Sequence, residues 1–145
     1  VDIYRARWLI EECNKALKTG CLIEHRQFES RAALLNIIAL SLPIAVEILA
    51  LRSAARGTPD KPATDLMSPL RIELLRRLSD RPLPENPTIS EALWALAGFG
   101  GHQKSNGEPG WHILHRAMRK LIAYEVGYIA GLRDAAERGE KGGNL

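Results

Sequence analysis

Cysteine is scarce. The chain has 145 residues and two cysteines, Cys13 and Cys21. Two thiols at that separation build neither a disulfide framework nor a metal-ligand set. A stapled secreted miniprotein and a zinc module are therefore excluded, and a reducing, cytoplasmic compartment (bacterial, on the resemblance given below) is the default expectation. Strand patterning is lacking as well, since no run alternates apolar and polar residues. No low-complexity tract marks a disordered protein, and 46% hydrophobic with 26% charged residues is an ordinary globular composition. No signal-peptide pattern is present. Aromatics reach only 6%, and Trp8, Trp94 and Trp111 read first as packing anchors. A charge excess of one sign is also missing: 20 Lys and Arg face 17 Asp and Glu, for a net +3 and a pI near 9.1. That balance permits a nucleic-acid partner without demanding one. Val1 stands where a natural start would carry Met, and helix-like sequence follows almost at once, so the chain reads as a piece of a longer protein.

One long hydrophobic run is present, from Leu34 to Leu51. It is about long enough to span a bilayer. Asn36, Pro43 and Glu47 interrupt it, and a carboxylate at mid-membrane is costly. A central core helix is the better expectation, with no membrane partner.

The remaining pattern is helical throughout. Ile3 to Thr19 carries Ala6, Leu9, Ile10, Cys13, Ala16 and Leu17 at helical spacing, and Gly20 supplies a stop. Ser30 caps a second helix reaching about Arg56, apolar nearly all round and kinked at Pro43. Gly57 to Asp65 is a loop. Ser68-Pro69 opens a third helix, and Pro82, Pro84 and Pro87 break the chain again. Thr88-Ile89-Ser90-Glu91 is a capping box for a fourth helix. Gly98-Phe99-Gly100-Gly101 ends it, and a polar loop leads to a last long helix from about Trp111 to Glu137. The expected fold is all-α, a bundle of about five helices.

Tyr4, Arg7, Glu11 and Lys18 lie at offsets of three, seven and fourteen. At 3.6 residues per turn they fall within an arc of about 60°. Such a stripe is commonly a solvated face with an i,i+4 ion pair between Arg7 and Glu11. It also suits phosphoryl transfer, where carboxylates hold metal ions and neighbouring cations hold phosphates.

The segment Tyr4-Arg5-Ala6-Arg7-Trp8-Leu9-Ile10-Glu11-Glu12-Cys13-Asn14-Lys15-Ala16-Leu17-Lys18-Thr19-Gly20 resembles the Y-x2-R-x3-E-x6-K signature of bacterial insertion-sequence transposases. The family is that of insertion sequence four, with a C-terminal domain of the Tn-five type. Ile23-Glu24-His25-Arg26, Leu51-Arg52, Leu96 to Gly101 and Gly107 to Trp111 resemble its dimerisation domain more loosely. The resemblance implies that residues 1–25 are the end of an RNase H-like catalytic domain and 26–145 a helical dimerisation domain. It implies that Glu11 is the third, metal-binding acid of an Asp-Asp-Glu triad using Mg²⁺ or Mn²⁺, with both aspartates upstream. Tyr4, Arg7 and Lys18 would contact DNA phosphates at the transposon end, with Lys15 and Arg26 as further candidates. Glu12 points about 100° away from Glu11 and is assigned no metal.

On the last helix, Leu114, Met118, Leu121, Ile122, Ile129 and Leu132 recur at three- and four-residue steps, with Tyr128 among them and Gly127 and Gly131 one turn apart. They are the expected homodimer contact, because paired cutting of two ends implies two subunits. His112 and His115 lack a third ligand, and His102-Gln103-Lys104 reads as an exposed polar loop. Gly98-Phe99-Gly100-Gly101 follows a helix and is no nucleotide fingerprint. No small-molecule substrate is expected. The competing expectation is a free-standing helical dimeric interaction or regulatory protein without catalysis.

Overall fold

A computed structural model describes residues 2–20 and 27–142. The expected domain boundary at 25, together with Cys21 and Arg26, lies outside the described residues. The fold is all-α and bundle-like. Its helices are α1 (Asp2–Lys15), α2 (Arg31–Gly57), α3 (Pro69–Leu78), α4 (Ile89–Phe99) and α5 (Trp111–Gly142). α1 runs directly into a π-helical turn, Ala16–Gly20. Among the described residues there is no strand, only an isolated bridge between Pro62 and Thr88.

Helix starts follow local chemistry. The Ser30 side chain accepts from Ala33 N, and the Ser68 side chain accepts from Arg71 N, ahead of Pro69 in the first turn. Each satisfies one amide that the helix itself leaves open. Thr88 and Glu91 complete a reciprocal capping box, with Glu91 Oε2 accepting from Thr88 N at 2.8 Å. The two proline-rich loops are stitched together. Ala63 N donates to Pro87 O at 2.9 Å, and Ile89 N to Lys61 O at 2.8 Å.

The core joins the C-terminal half of α2 to α3, α4 and the first third of α5. Ile48, Leu51, Leu75, Ile89, Leu96, Leu114, Met118 and Leu121 are its largest fully buried side chains. α4 meets α5 at Gly100, where a Cβ would stand 2.6 Å from Ile113 O and 3.0 Å from the Ala117 Cβ. Gly101 follows at φ +87°, a conformation that glycine adopts without strain.

Two expectations about burial need correction. α2 is not core throughout: Ser41, Ala45, Ile48, Leu49 and Leu51 are buried, whereas Leu35, Leu40, Leu42 and Val46 are exposed. Its 27 residues are long and apolar enough to cross a membrane by length and composition. Its later half is nonetheless committed to the core, and Glu47 is paired with Arg71 at 2.7 Å. Likewise, α1 does not bury a full apolar face. Ala16 is buried and Cys13 half-buried, yet Ile3, Leu9 and Ile10 are exposed. An apolar pattern states which side chains favour burial, not whether this chain supplies the cover.

α2 and α5 run antiparallel. Arg52 stacks on Trp111, and Ile37, Leu40 and Ile44 share a groove of about 480 Å³ with His115, Arg119 and Ile122. The N-terminal half of α2 and the distal part of α5 therefore leave the bundle at the same end. α5 continues for 20 residues beyond Ile122, a projection of about 30 Å at 1.5 Å per residue.

Candidate nucleic-acid interface on the first helix

The outer half of α1 displays Tyr4, Arg7, Trp8 and Glu11 around one shallow recess of about 80 Å³. Tyr4 is 76% exposed and Trp8 44%. Arg7 Nε donates to Glu11 Oε1 at 3.0 Å, with the two side chains 74% and 54% exposed. An exposed pair of this spacing contributes only about 0.3–0.5 kcal/mol. Its effect is orientation: the guanidinium and the carboxylate are aimed at the same patch of solvent. The indole beside them offers a flat apolar wall.

Lys18 is exposed but sits in the π turn. That wider i→i+5 turn advances by less than 100° per residue, so Lys18 lies off the line extrapolated from a regular helix. Lys15 is drawn aside by Glu12 at 3.0 Å. The Glu12 side chain is only 13% exposed, and its charge acts on Arg52 and Arg56 of α2. Glu12 thus faces the bundle while Glu11 faces outward, as the rotation between neighbours requires.

Glu11 offers the hard oxygen that Mg²⁺ or Mn²⁺ prefers. Among the described residues no group of three or more His, Cys, Asp or Glu side chains stands together for a metal. Glu11 by itself offers a single carboxylate, fewer ligands than such an ion takes. His112 is exposed whereas His115 is buried, so the two do not share a face.

His102 departs from the exposed loop expected for it. It is 95% buried: its Nε2 lies 2.9 Å from Gly107 O and its ring 5.8 Å from that of Trp94. Arg81 Nη2 donates to the His102 carbonyl at 2.7 Å and Arg81 Nη1 to the Trp94 carbonyl at 3.1 Å. His102 folds back onto α4, its N–H donating to the Ala97 carbonyl at 2.9 Å, while Gln103 stays exposed as expected.

The apolar stripe on α5 is divided. Leu114, Met118 and Leu121 are buried in this chain's own core, and Ile122 packs against it. Those four have little or no surface to offer a second copy. Tyr128, Ile129 and Leu132 are exposed, with Tyr124 and Val126 beside them. Nothing approaches within 4 Å of where a Cβ would stand at Gly127 or Gly131.

One cluster escaped the sequence reading. Arg52 and Arg56, a turn apart on α2, both reach Glu108 Oε2 of the polar loop. Their i,i+4 spacing was visible, but 52 residues separate Arg56 from Glu108, and only the fold brings them together. No known protein-family model matches this chain.

Proposed function

We propose that the chain is the C-terminal region of a cut-and-paste DNA transposase, contributing the third metal-binding acid and phosphate contacts and pairing with a second copy. The observation that carries it is the state of α1. An acid and a cation are held side by side on a half-helix that the bundle leaves uncovered, and the exposed apolar residues Ile3, Leu9 and Ile10 of that half call for another protein body. The Tyr4, Arg7, Glu11 and Lys18 signature supports the same reading. In the assembled protein Glu11 would be one of the oxygen ligands holding Mg²⁺ or Mn²⁺, and the chemistry such an ion would supply is activation of the attacking oxygen and charge stabilisation at the leaving one. Arg7 keeps the carboxylate aimed and, with Tyr4 and Lys18, binds phosphate oxygens. DNA is the partner in that assembly.

The test is strand cleavage at transposon ends by the full product of the gene. Glu11→Gln abolishes cleavage while DNA binding persists. Arg7→Ala and Lys18→Ala weaken end binding, each making the salt dependence shallower by about one unit. Full cleavage by the Glu11→Gln protein removes Glu11 from the metal site. Unchanged affinity and salt slope in both cation variants reduce the stripe to a solvated face.

A further inference from the structure

Away from the α1 stripe, two arginines converge on a single carboxylate oxygen. Arg56 Nη2 donates to Glu108 Oε2, and Arg52 Nη2 approaches the same atom at 3.5 Å. Arg52 is prepositioned. Its guanidinium lies 4.4 Å from the centre of the Trp111 ring, and its side chain is only 14% exposed. Arg56 is 48% exposed and Glu108 63%. Glu108 sits in the polar loop beside Gly107, whose φ is +74°. A small recess of about 80 Å³ opens between the arginines, Ser90 and Glu108. Ser90 stands in the first turn of α4, the positive end of that helix.

We propose that Arg52 and Arg56 are a binding site for a phosphate of a nucleic-acid backbone, with Glu108 occupying the phosphate's place. Two guanidiniums a turn apart, one of them braced on an indole, match the geometry that grips an anionic oxygen pair. At the site itself two guanidiniums meet the single carboxylate of Glu108, and the charge of Glu12 on α1 also acts on both, so the cluster is close to neutral while Glu108 is in place and cationic once it leaves. Burial, and then the charge of Arg56, hold Arg52 below the ordinary arginine value even beside Glu108. A backbone phosphodiester carries the same single charge as the Glu108 carboxylate and offers two anionic oxygens, so it can take the place of that carboxylate between the two guanidiniums. Because the charge of Glu12 acts on both arginines, the cluster borders the bundle-facing side of α1. The choice of nucleic acid over free phosphate rests on the function proposed above.

The experiment is duplex binding by fluorescence anisotropy across a salt series, with the wild-type chain, Glu108→Gln, Arg56→Gln and the double variant. Arg52 is left intact because it is part of the packing around Trp111, and circular dichroism checks that each variant stays helical. Glu108→Gln tightens binding about tenfold, since one charged hydrogen bond no longer has to be broken. Arg56→Gln weakens binding and makes the salt slope shallower by about one unit. The double variant shows no gain over Arg56→Gln alone. A gain from Glu108→Gln that survives in the Arg56→Gln background is a general charge effect and overturns the site. So does a loss of stability without a gain in binding, which makes Glu108 only a loop anchor. Pyrophosphate is titrated in parallel, and binding of pyrophosphate without duplex overturns the nucleic-acid source. Loss of duplex binding on Arg7→Ala but not on Arg56→Gln refutes this site alone; the reverse refutes the α1 reading alone.

Discussion

Arg71 donates to Glu125 Oε2 through Nε and to Glu47 Oε2 through Nη1, each at 2.7 Å, so one guanidinium joins α2, α3 and α5. Burial opposes its charge, but the hydrogen bonds and charges of Glu125 and Glu47 outweigh that effect and raise its pKa above the ordinary value. Replacing Arg71 with Met keeps the apolar stem and leaves Glu125, whose side chain is 16% exposed, without its ion pair and with only a long hydrogen bond from Ser68 at 3.5 Å. Arg71→Met therefore lowers unfolding stability by about 1–3 kcal/mol, read by urea denaturation. Glu108 gives a residue-scale test in pH. The Arg56 hydrogen bond, acting against slight burial, holds its carboxyl below the ordinary 4.5. A depressed carboxylate contributes stability that is full above its unfolded value and is lost as pH falls through the folded one. The loop tie accordingly weakens only in the acid range below about 4.5. An NMR titration of the Glu108 carboxyl should show a midpoint under that value, moving upward in Arg56→Gln. An unmoved midpoint means that Arg56 is not what stabilises the charge.

Elements were the most legible level, because caps and breakers act within a few residues. Ser30, Ser68-Pro69 and the Thr88-Glu91 box start the helices that the sequence assigns to them, since each capping side chain bonds the amide three positions on. The π turn at Ala16–Gly20 was not legible. It forms where the chain meets α5: a Cβ at Gly20 would lie 3.4 Å from the Trp111 carbonyl, a tertiary contact that local sequence does not encode. The crossing of α4 and α5 turns on the missing side chain of Gly100. Its carbonyl accepts from Arg116, and its Cα side abuts the α5 backbone. Gly100→Ala should force the helices apart and lower stability by about 1–3 kcal/mol, as overpacking does. Ala at Gly110, where nothing lies within 4 Å, is the control. Equal melting temperatures for the two variants would show that the crossing tolerates a methyl group.

At the scale of the whole molecule, three segments leave the bundle with apolar side chains uncovered: the outer half of α1, the first half of α2 and the distal part of α5. Sequence periodicity marked all three as apolar and could not say which were closed internally. On α5 it merged two surfaces, because apolar residues recur on one face from Leu114 to Leu132, across the break at Glu125, while the bundle covering that face ends at the Arg71–Glu125 pair. Pairing of two chains, if it uses α5, must therefore fall on Tyr128, Ile129 and Leu132, where the open backbone at Gly127 and Gly131 admits a second helix closely. Substituting Leu121 tests folding instead, since that side chain is fully buried. An Ile129→Arg/Leu132→Arg chain should keep the helicity and melting temperature of the wild type, because both side chains lie beyond the core. Light scattering at rising concentration should show reversible self-association of the wild-type chain and none of the double variant. A single helix pair buries modest area, so millimolar to micromolar association is the scale to measure, about 4–8 kcal/mol in free energy. Wild-type chains that remain monomeric throughout that range, or variant chains that associate as well as wild type, place any dimer contact outside the distal α5.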